Sequence, residues 1–216
     1  MFALTFDDGP GPSTAELLDV LRDGGVRATF FLLGRNVDEA PWCGDPRRAR
    51  ALAERAVREG HALGNHTYSH LRPDRWRDVA ADLRRGEAVV RSLRSGPIAF
   101  RLPYGIQRVS EPFPLGTIGE QMDPRLAVIA SLGIAHQHWT GDFGDWALRA
   151  EEAPALAARM AAHVEECART GLDAVVDLHD SGTGSSFGYE RPATVAAMRM
   201  FLDGARRRGW ASFTVG

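Results

Sequence analysis

Two adjacent carboxylates, Asp7 and Asp8, stand near the start of the sequence, where their side chains could do chemistry. A strand-like apolar segment, residues 2–6, leads into them, and Gly9 and Pro10 then end the strand. Side chains alternate along a strand, so the two carboxylates begin on opposite faces, and the turn can bring both to one site. Two neighbouring carboxylates repel each other unless a cation or a shared proton relieves them. Taken alone, Asp-Asp-Gly is more typical of a polar turn.

A pair of histidines, His66 and His70, offers a second group with chemical potential. On one helical turn this spacing places both imidazoles on the same face, where they can chelate one ion. The spacing alone is weak evidence for a metal site, since a histidine is more often a structural polar residue. A carboxylate from Asp8 would complete a set of three protein ligands with positions open for water and substrate, which is typical of a catalytic metal site.

The elements that must position these residues alternate along the chain. The hydrophobic pattern predicts strands at 2–6, 28–33, 61–63, 98–100, 134–139, 174–178 and 210–215. Predicted helices cover 13–23, 47–59, 74–94, 124–132, 151–169 and 191–208. About seven strands that alternate with helices predict an α/β fold, with parallel strands in a barrel or a doubly wound sheet. With no linker or repeat in the sequence, we predict a single domain over 1–216.

Polar side chains follow the predicted strands at the point where each strand ends. They are Asp7 and Asp8 after the first strand, His66 and His70 after the third, Arg101 after the fourth, Asp142 and Asp145 after the fifth, and His179 after the sixth. In a parallel α/β barrel the carboxyl ends of the strands share one rim, where active sites are built. The sequence therefore predicts that these side chains meet.

The bulk composition excludes several classes of protein. The chain has 216 residues, of which 44% are hydrophobic and 25% charged, as in an ordinary globular domain. A formal net charge of -2 gives no indication of nucleic-acid binding. Cys43 and Cys167 are too few for a disulfide framework. Since neither a membrane-spanning run nor a leader is visible, we expect a cytoplasmic protein, or a secreted one if a leader was removed.

Five short motifs occur in order along the chain. They are Thr-Phe-Asp-Asp-Gly-Pro at 5–10, His-Thr-x-x-His at 66–70, Arg-x-Pro-Tyr at 101–104, Asp-x-x-Asp-Trp at 142–146 and Leu-His at 178–179. The series resembles the motifs of the polysaccharide deacetylases, the NodB-homology enzymes of carbohydrate esterase family four. The resemblance covers nearly the whole chain and implies a distorted (β/α) barrel with seven strands.

The resemblance also implies a division of labour among the site residues. Asp8, His66 and His70 would bind a divalent metal, commonly Zn²⁺, although the same ligands accept Co²⁺, Mn²⁺ or Ni²⁺. Asp7 would be the general base that takes a proton from water, and His179 the general acid that protonates the leaving amine.

Further residues would support this pair. Arg101 is expected to pair with Asp7 and lower its pKa, and Asp145 to orient His179 and favour its protonated form. We assign no role to the neighbouring Asp142.

Three residues would contact the substrate. The backbone N–H of Tyr104 would assist the oxyanion, and Trp146 and Leu178 would wall the pocket for the acetyl methyl. In isolation a core position would be the more usual explanation of Trp146.

Two stretches, 40–48 and 106–122, are longer than the connections expected at their positions. Either they pack down as surface loops or they line the rim, where they would narrow an open groove and favour a compact substrate over a polymer.

The leading hypothesis is a metal-dependent N-deacetylase of N-acetylated amino sugars, either a small glycoside or glycoconjugate or a chitin- or peptidoglycan-type glycan. An O-acetyl esterase, or a hydrolase of other C–N amides, is the alternative on the same site. A non-catalytic glycan-binding domain is disfavoured because both Asp7 and His179 are present. The sequence does not indicate an oligomeric state.

Overall fold

A parallel sheet runs through the centre of the protein in the computed structural model, which describes residues 1–94, 96–106, 123–182 and 189–215. Its strands are β1 (Phe2–Asp7), β2 (Thr29–Leu32), β3 (Ala62–Asn65), β4 (Gly141–Asp142) and β5 (Ala174–His179). The strand order is β3-β2-β1-β5-β4, and every pair is parallel. The first strand is therefore central, so its carboxyl end lies in the middle of the sheet's carboxyl edge.

Helices connect the strands as the alternating pattern predicts. They are α1 (Thr14–Gly24), α2 (Gly34–Asp38), α3 (Pro46–Arg58), α4 (Val79–Arg91), α5 (Pro124–Ser131), α6 (Ala153–Arg169) and α7 (Pro192–Arg208). Asp45 starts α3 by accepting two backbone N–H groups on its side chain, and Gly25 ends α1 at a φ of 68°. Both are the capping residues that local backbone geometry favours.

Apolar side chains hold the helices against the sheet. β1 and β2 are buried along their full length, as expected for parallel strands that are covered on both faces. Phe6 stacks on Phe30 with ring centroids 5.1 Å apart, and Phe2 meets Phe201 of α7 edge-on at 5.2 Å. Packing of this kind, at ~1.5–3 kcal/mol per fully buried large apolar side chain, fixes the central strands that carry the site.

The α/β architecture with parallel strands is confirmed, but fewer strands form than the predicted seven. The predicted strands at 98–100 and 134–139 appear as single-residue bridges, Asn65 to Phe100 and Phe100 to His136. The last predicted strand, 210–215, is reduced to a bridge between Phe2 and Ser212. Within the described ranges the sheet is therefore open, because these edge segments pair through one residue each.

Two connections also differ from the predicted elements. The predicted helix at 74–94 divides into a 3-10 helix, Pro73–Asp78, and α4, with Arg75 outside helical geometry at φ −93° and ψ 28°. Between the predicted strand at 28–33 and the predicted helix at 47–59, where the sequence predicts no helix or strand, the chain forms the short helix α2. No helix among the described residues is both long and apolar enough to cross a membrane.

Candidate active site

The carboxyl end of β1 brings Asp7 and Asp8 to one place, as the sequence predicts. Asp7 is the last residue of the strand, and Asp8 follows with a φ of 73°, in the left-handed region. The side chain of Asn36 donates to the backbone carbonyl of Asp8 at 2.6 Å, which holds this turn. Oδ2 of Asp7 and Oδ1 of Asp8 each lie 3.6 Å from Nε2 of His66. Both carboxylates therefore reach the same imidazole.

The two histidines lie on a loop, so the predicted helical turn at 66–70 is wrong. Thr67 and His70 have φ values of 71° and 57°, which an α-helix does not contain. Asn65 accepts the backbone N–H of Thr67 at 2.9 Å, and Asp82 of α4 accepts two further backbone N–H groups of the loop. These side-chain contacts replace the helical hydrogen bonds and bring the imidazoles to a ring separation of 5.2 Å.

Asp8, His66 and His70 fit the requirements of a divalent metal. One ligand atom from each lies within 4.8 Å of the other two, and Oδ1 of Asp8 is 3.4 Å from Nε2 of His70. Ligands at about 2.1 Å in a tetrahedral site lie roughly 3.4 Å apart, so little rearrangement is needed. The same Oδ1 is buried and has no hydrogen-bond partner in the described part of the chain. A bound cation would remove the energetic cost of burying this oxygen without a partner.

The protonation states of the imidazoles suit the same role. Nδ1 of His66 faces the backbone carbonyl of Arg101 at 3.0 Å, so Nδ1 carries the proton and Nε2 presents its lone pair. Burial, helped by the Arg101 charge, holds the pKa of His66 well below its ordinary value. Burial also lowers the pKa of His70 to about 4, against the opposing pull of Asp8. Both rings are therefore neutral at neutral pH, as metal ligands must be.

Arg101 binds two carboxylates through one nitrogen. Its Nη1 lies 2.9 Å from Oδ1 of Asp7, 2.8 Å from Oδ1 of Asp177 and 2.7 Å from Oγ1 of Thr5. The guanidinium is fully buried and lies 4.1 Å from the centre of the Phe31 ring. The predicted contact with Asp7 is present.

The net pKa of Asp7 depends on burial as well as on Arg101. Arg101 acts to lower the pKa of Asp7, but burial is the larger influence, and the pKa of this carboxyl lies above its ordinary value. A carboxylate with a raised pKa is a stronger base near neutral pH. The predicted lowering by Arg101 is therefore present, but burial outweighs it and raises the net pKa of Asp7.

His179 lies beside Asp7 at the end of the neighbouring strand β5. The register of β1 and β5 pairs these two residues directly. Oδ1 of Asp145 is 2.8 Å from Nδ1 of His179, and Oδ2 accepts the backbone N–H of His179 and the hydroxyl of Thr194. Although burial opposes it, Asp145 raises the pKa of His179 well above its ordinary value. Nε2 of a protonated His179 is then available as a proton donor.

Asp7, Asp8, His66, His70 and His179 all line one open cavity of about 470 Å³, whereas Arg101 and Asp145 lie behind them and do not line it. Its lining residues are Asp7, Asp8, His66, His70, Leu102, Tyr104, Gly105, Trp139, Asp142, Trp146, Asp177, His179 and Arg191. Tyr104 is 47% exposed and Trp146 is 58% exposed, and the ring of Tyr104 lies 4.5 Å from that of His70. These two aromatic side chains therefore border the mouth of the cavity.

The prediction that Leu178 lines the pocket is wrong. Leu178 is fully buried and packs in the hydrophobic core, so it does not border the cavity. Because side chains alternate along β5, the cavity receives Asp177 and His179 from this strand instead.

The sequence does not predict several of the lining residues, and it suggests a rim position for one loop that does not line the cavity. Asp177, Trp139 and Arg191 border the cavity without belonging to a recognised motif, although alternation from His179 could have indicated Asp177. None of the described lining residues comes from 40–48, where Trp42 donates to the backbone carbonyl of Asn36 of α2. The other predicted rim loop, 106–122, lies outside the described residues except for Ile106.

The parallel fold brings two carboxylates, two neutral imidazoles and the protonated His179 to one cavity at its carboxyl edge, with Asp8, His66 and His70 as candidate metal ligands. Comparisons with known proteins identify the family. The sequence model of the polysaccharide deacetylase family matches residues 1–110. A peptidoglycan-N-acetylglucosamine deacetylase from Bacillus cereus is 30% identical over 218 residues, which cover 100% of this chain and 86% of that protein.

Two further comparisons agree. A chitooligosaccharide deacetylase from a Bradyrhizobium species is 33% identical over 222 residues, covering 96% of this chain and 85% of that protein. Among solved structures, a polysaccharide deacetylase from Bacillus cereus matches with a TM-score of 0.70 and 26% identity, covering 100% of this chain and 92% of that one. The chain belongs to the polysaccharide deacetylase family, and it is a hydrolase of that family.

Proposed function

We propose that this enzyme is a divalent-metal-dependent N-deacetylase that acts on N-acetylated amino sugars. The observation that carries the proposal is the register pairing of Asp7 with His179 beside the cluster of Asp8, His66 and His70. A base and an acid on neighbouring strands can act on the two sides of one amide bond. The similarity to a peptidoglycan-N-acetylglucosamine deacetylase and to a chitooligosaccharide deacetylase supports the same reaction.

Each catalytic role follows from the contacts of the side chain. Asp7, held by Arg101 at 2.9 Å, takes a proton from the attacking water. His179, held by Asp145 at 2.8 Å, gives the proton on its Nε2 to the leaving amine nitrogen. Their pKa values are both raised, which gives a stronger base and keeps the acid protonated at neutral pH.

The remaining assignments concern charge at the reacting carbonyl. A divalent ion held by Asp8, His66 and His70 would supply Lewis acidity, which acidifies water and polarises an acyl carbonyl. Zn²⁺ suits two imidazoles and a carboxylate, and Co²⁺, Mn²⁺ and Ni²⁺ are alternatives. We assign the backbone N–H of Tyr104 to the developing oxyanion, since Tyr104 lies beside His70 at the cavity.

Within this function we favour a compact N-acetylated glycoside or glycoconjugate over a long polymer. The cavity of about 470 Å³ falls within the usual size for small-ligand sites. Trp146 and Tyr104 offer apolar faces at its mouth, where a sugar ring can stack. The expected cytoplasmic location stays a prediction and agrees with a small substrate.

Amine release tests the proposal. The substrates are N-acetylglucosamine oligomers and small N-acetylated glycosides, each assayed with and without chelator, and matched O-acetyl esters separate amide from ester hydrolysis. We expect chelator-sensitive release that Asp7→Asn abolishes. Release that resists chelation, or full activity of Asp7→Asn, contradicts the proposed mechanism. Faster cleavage of the esters would favour the esterase alternative, and tight glycan binding without turnover in any of the four metals would favour a binding domain.

A further inference from the structure

Alternation along β5 places a carboxyl group at the inner end of the cavity. Asp177 and His179 both line the cavity, while Leu178 between them packs in the core. Two residues of a strand span about 6.6 Å, so Asp177 lies that much further from the carboxyl edge than His179. Asp177 is 4% exposed, so its carboxyl group lies in a largely enclosed position.

Within the described residues, the protein donates a hydrogen bond to only one oxygen of this carboxyl group. Oδ1 of Asp177 accepts from Nη1 of Arg101 at 2.8 Å. No other side chain among the described residues donates to Asp177, so Oδ2 has the cavity as its source of partners. Oδ2 is not among the buried side-chain atoms that lack a partner, so it is open to the cavity. A substrate group that fills the cavity without bonding to this oxygen would bury it without a partner, which is costly whether the carboxyl is ionised or protonated.

The direction of the substrate follows from the positions of the acid and the rim. The leaving amine must lie next to His179 and carries the sugar, and among the described residues the exposed Trp146 marks an open mouth of the cavity where a bulky sugar fits. The carbonyl lies between the metal cluster and Asp7. The acyl substituent on the other side of that carbonyl then points inward, towards Asp177.

We infer that Asp177 is a specificity-determining residue, and that it selects acyl groups that carry a hydroxyl, of which glycolyl is the simplest, over purely apolar ones. This inference rests on the proposed function and refines its substrate class. A hydroxyl can donate to the carboxylate form of Asp177 and can also accept from its acid form. A methyl group offers neither, so it leaves the inner carboxyl oxygen without a partner.

The test compares N-glycolyl- and N-propionylglucosamine glycosides, which differ by a hydroxyl and a methyl group of similar size, with the N-acetyl glycoside as reference. The metal-loaded wild-type enzyme should show a glycolyl-to-propionyl ratio of kcat/KM on the order of tenfold or more, because sites that bind a substrate hydroxyl reject analogues without it. In Asp177→Leu the ratio should fall to about one. Asp177→Ala, which leaves room for water around Arg101, should show the same loss if the leucine variant does not fold.

Leu178→Met provides the matched control, because it changes the adjacent core-facing side chain of the same strand. It should leave the ratio as in wild type. A wild-type ratio near one, or a ratio that survives both Asp177 variants, overturns the inference, as does an equal loss of activity on all three substrates. If none of the three glycosides is hydrolysed, the proposed function fails instead, and calorimetric binding of the glycolyl and propionyl glycosides still decides whether Asp177 discriminates between them.

Discussion

Asp145 contacts His179 from two directions. Its Oδ1 lies 2.8 Å from the ring Nδ1, and its Oδ2 accepts the backbone N–H of the same residue at 2.9 Å. The first contact fixes the tautomer and favours the imidazolium, and the second fixes the ring relative to the strand. Asp145 is itself buried and has a pKa below its ordinary value, because the attraction of His179 and its hydrogen bonds outweigh the burial that would raise the pKa.

Asp145→Asn should therefore move the alkaline limb of the pH–rate profile to lower pH. The carboxylate raises the pKa of His179, so its removal lowers that pKa and His179 loses its proton at a lower pH. We also expect kcat to fall by roughly 10²-fold or more, since general acid catalysis contributes about 10²–10⁴-fold. Steady-state rates measured across the pH range give both quantities.

Asp142→Asn is the matched control for this change. Asp142 also lines the cavity, but it is exposed and its side chain accepts the backbone N–H of Gly144. The alkaline limb should stay in place in this variant, whatever happens to KM. A shift of the same size in both variants would mean that the general field of the cavity, rather than Asp145, sets the pKa of His179.

Substitutions of Asp7 and of Asp8 should separate the effects on metal binding from those on proton transfer. Asp8→Asn removes a charged ligand, so the purified protein should hold far less than one equivalent of metal and lose activity. Asp7→Asn should keep the metal and lose about 10²–10⁴-fold in kcat, the usual contribution of a general base. Elemental analysis and kinetics on the same samples measure the two effects. Equal metal loss in both variants would show that Asp7 is a ligand as well.

The sequence predicted the site residues better than their local backbone. Asp8, His66 and His70 were predicted as ligands, and the structure brings their side chains together. The spacing of His66 and His70 suggests one helical turn, but Thr67 and His70 adopt left-handed φ values of 71° and 57°. Asn65 holds the loop locally, but the other two backbone N–H groups are accepted by Asp82 of α4, 14 and 13 residues away, and no local pattern indicates those contacts.

The placement of Leu178 shows a different limit. The Leu-His motif at 178–179 suggests that both residues lie at the site, but two consecutive residues of a strand face opposite sides. The strand count failed for another reason. The segments at 98–100 and 134–139 have strand-like composition, but whether they form ladders depends on the neighbouring segment, and here only Phe100 and His136 pair.

His61 should make the fold less stable in acid. Its Nδ1 accepts the backbone N–H of Ala28 at 3.0 Å, and burial lowers its pKa to about 4. Because the pKa in the folded state is below the unfolded value, the stabilisation is present above about pH 6.5 and is lost as the pH falls towards 4. From that difference His61 contributes on the order of 2 kcal/mol to the loss of stability between about pH 7.5 and pH 5.

His61→Asn isolates this effect, because an asparagine side chain can accept the same N–H and does not titrate. Urea unfolding at each pH should show a smaller loss of stability in the variant than in wild type. An identical pH dependence in the two proteins would assign the acid sensitivity to other groups.

Arg101→Met should destabilise the protein by about 3–5 kcal/mol at neutral pH, because it leaves Asp7 and Asp177 buried without their shared cation. Adding Asp177→Asn removes one of the two negative charges, so the double variant should be more stable than Arg101→Met alone, although Asp177→Asn by itself should not stabilise the wild type. Denaturant unfolding of the four proteins gives the coupling energy.

Arg208→Met serves as the control, since its 3.1 Å pair with Glu165 is exposed and such pairs contribute about 1 kcal/mol or less. Additive effects of the two site changes would contradict the prediction, because they would mean that Arg101 does not balance the two carboxylates together.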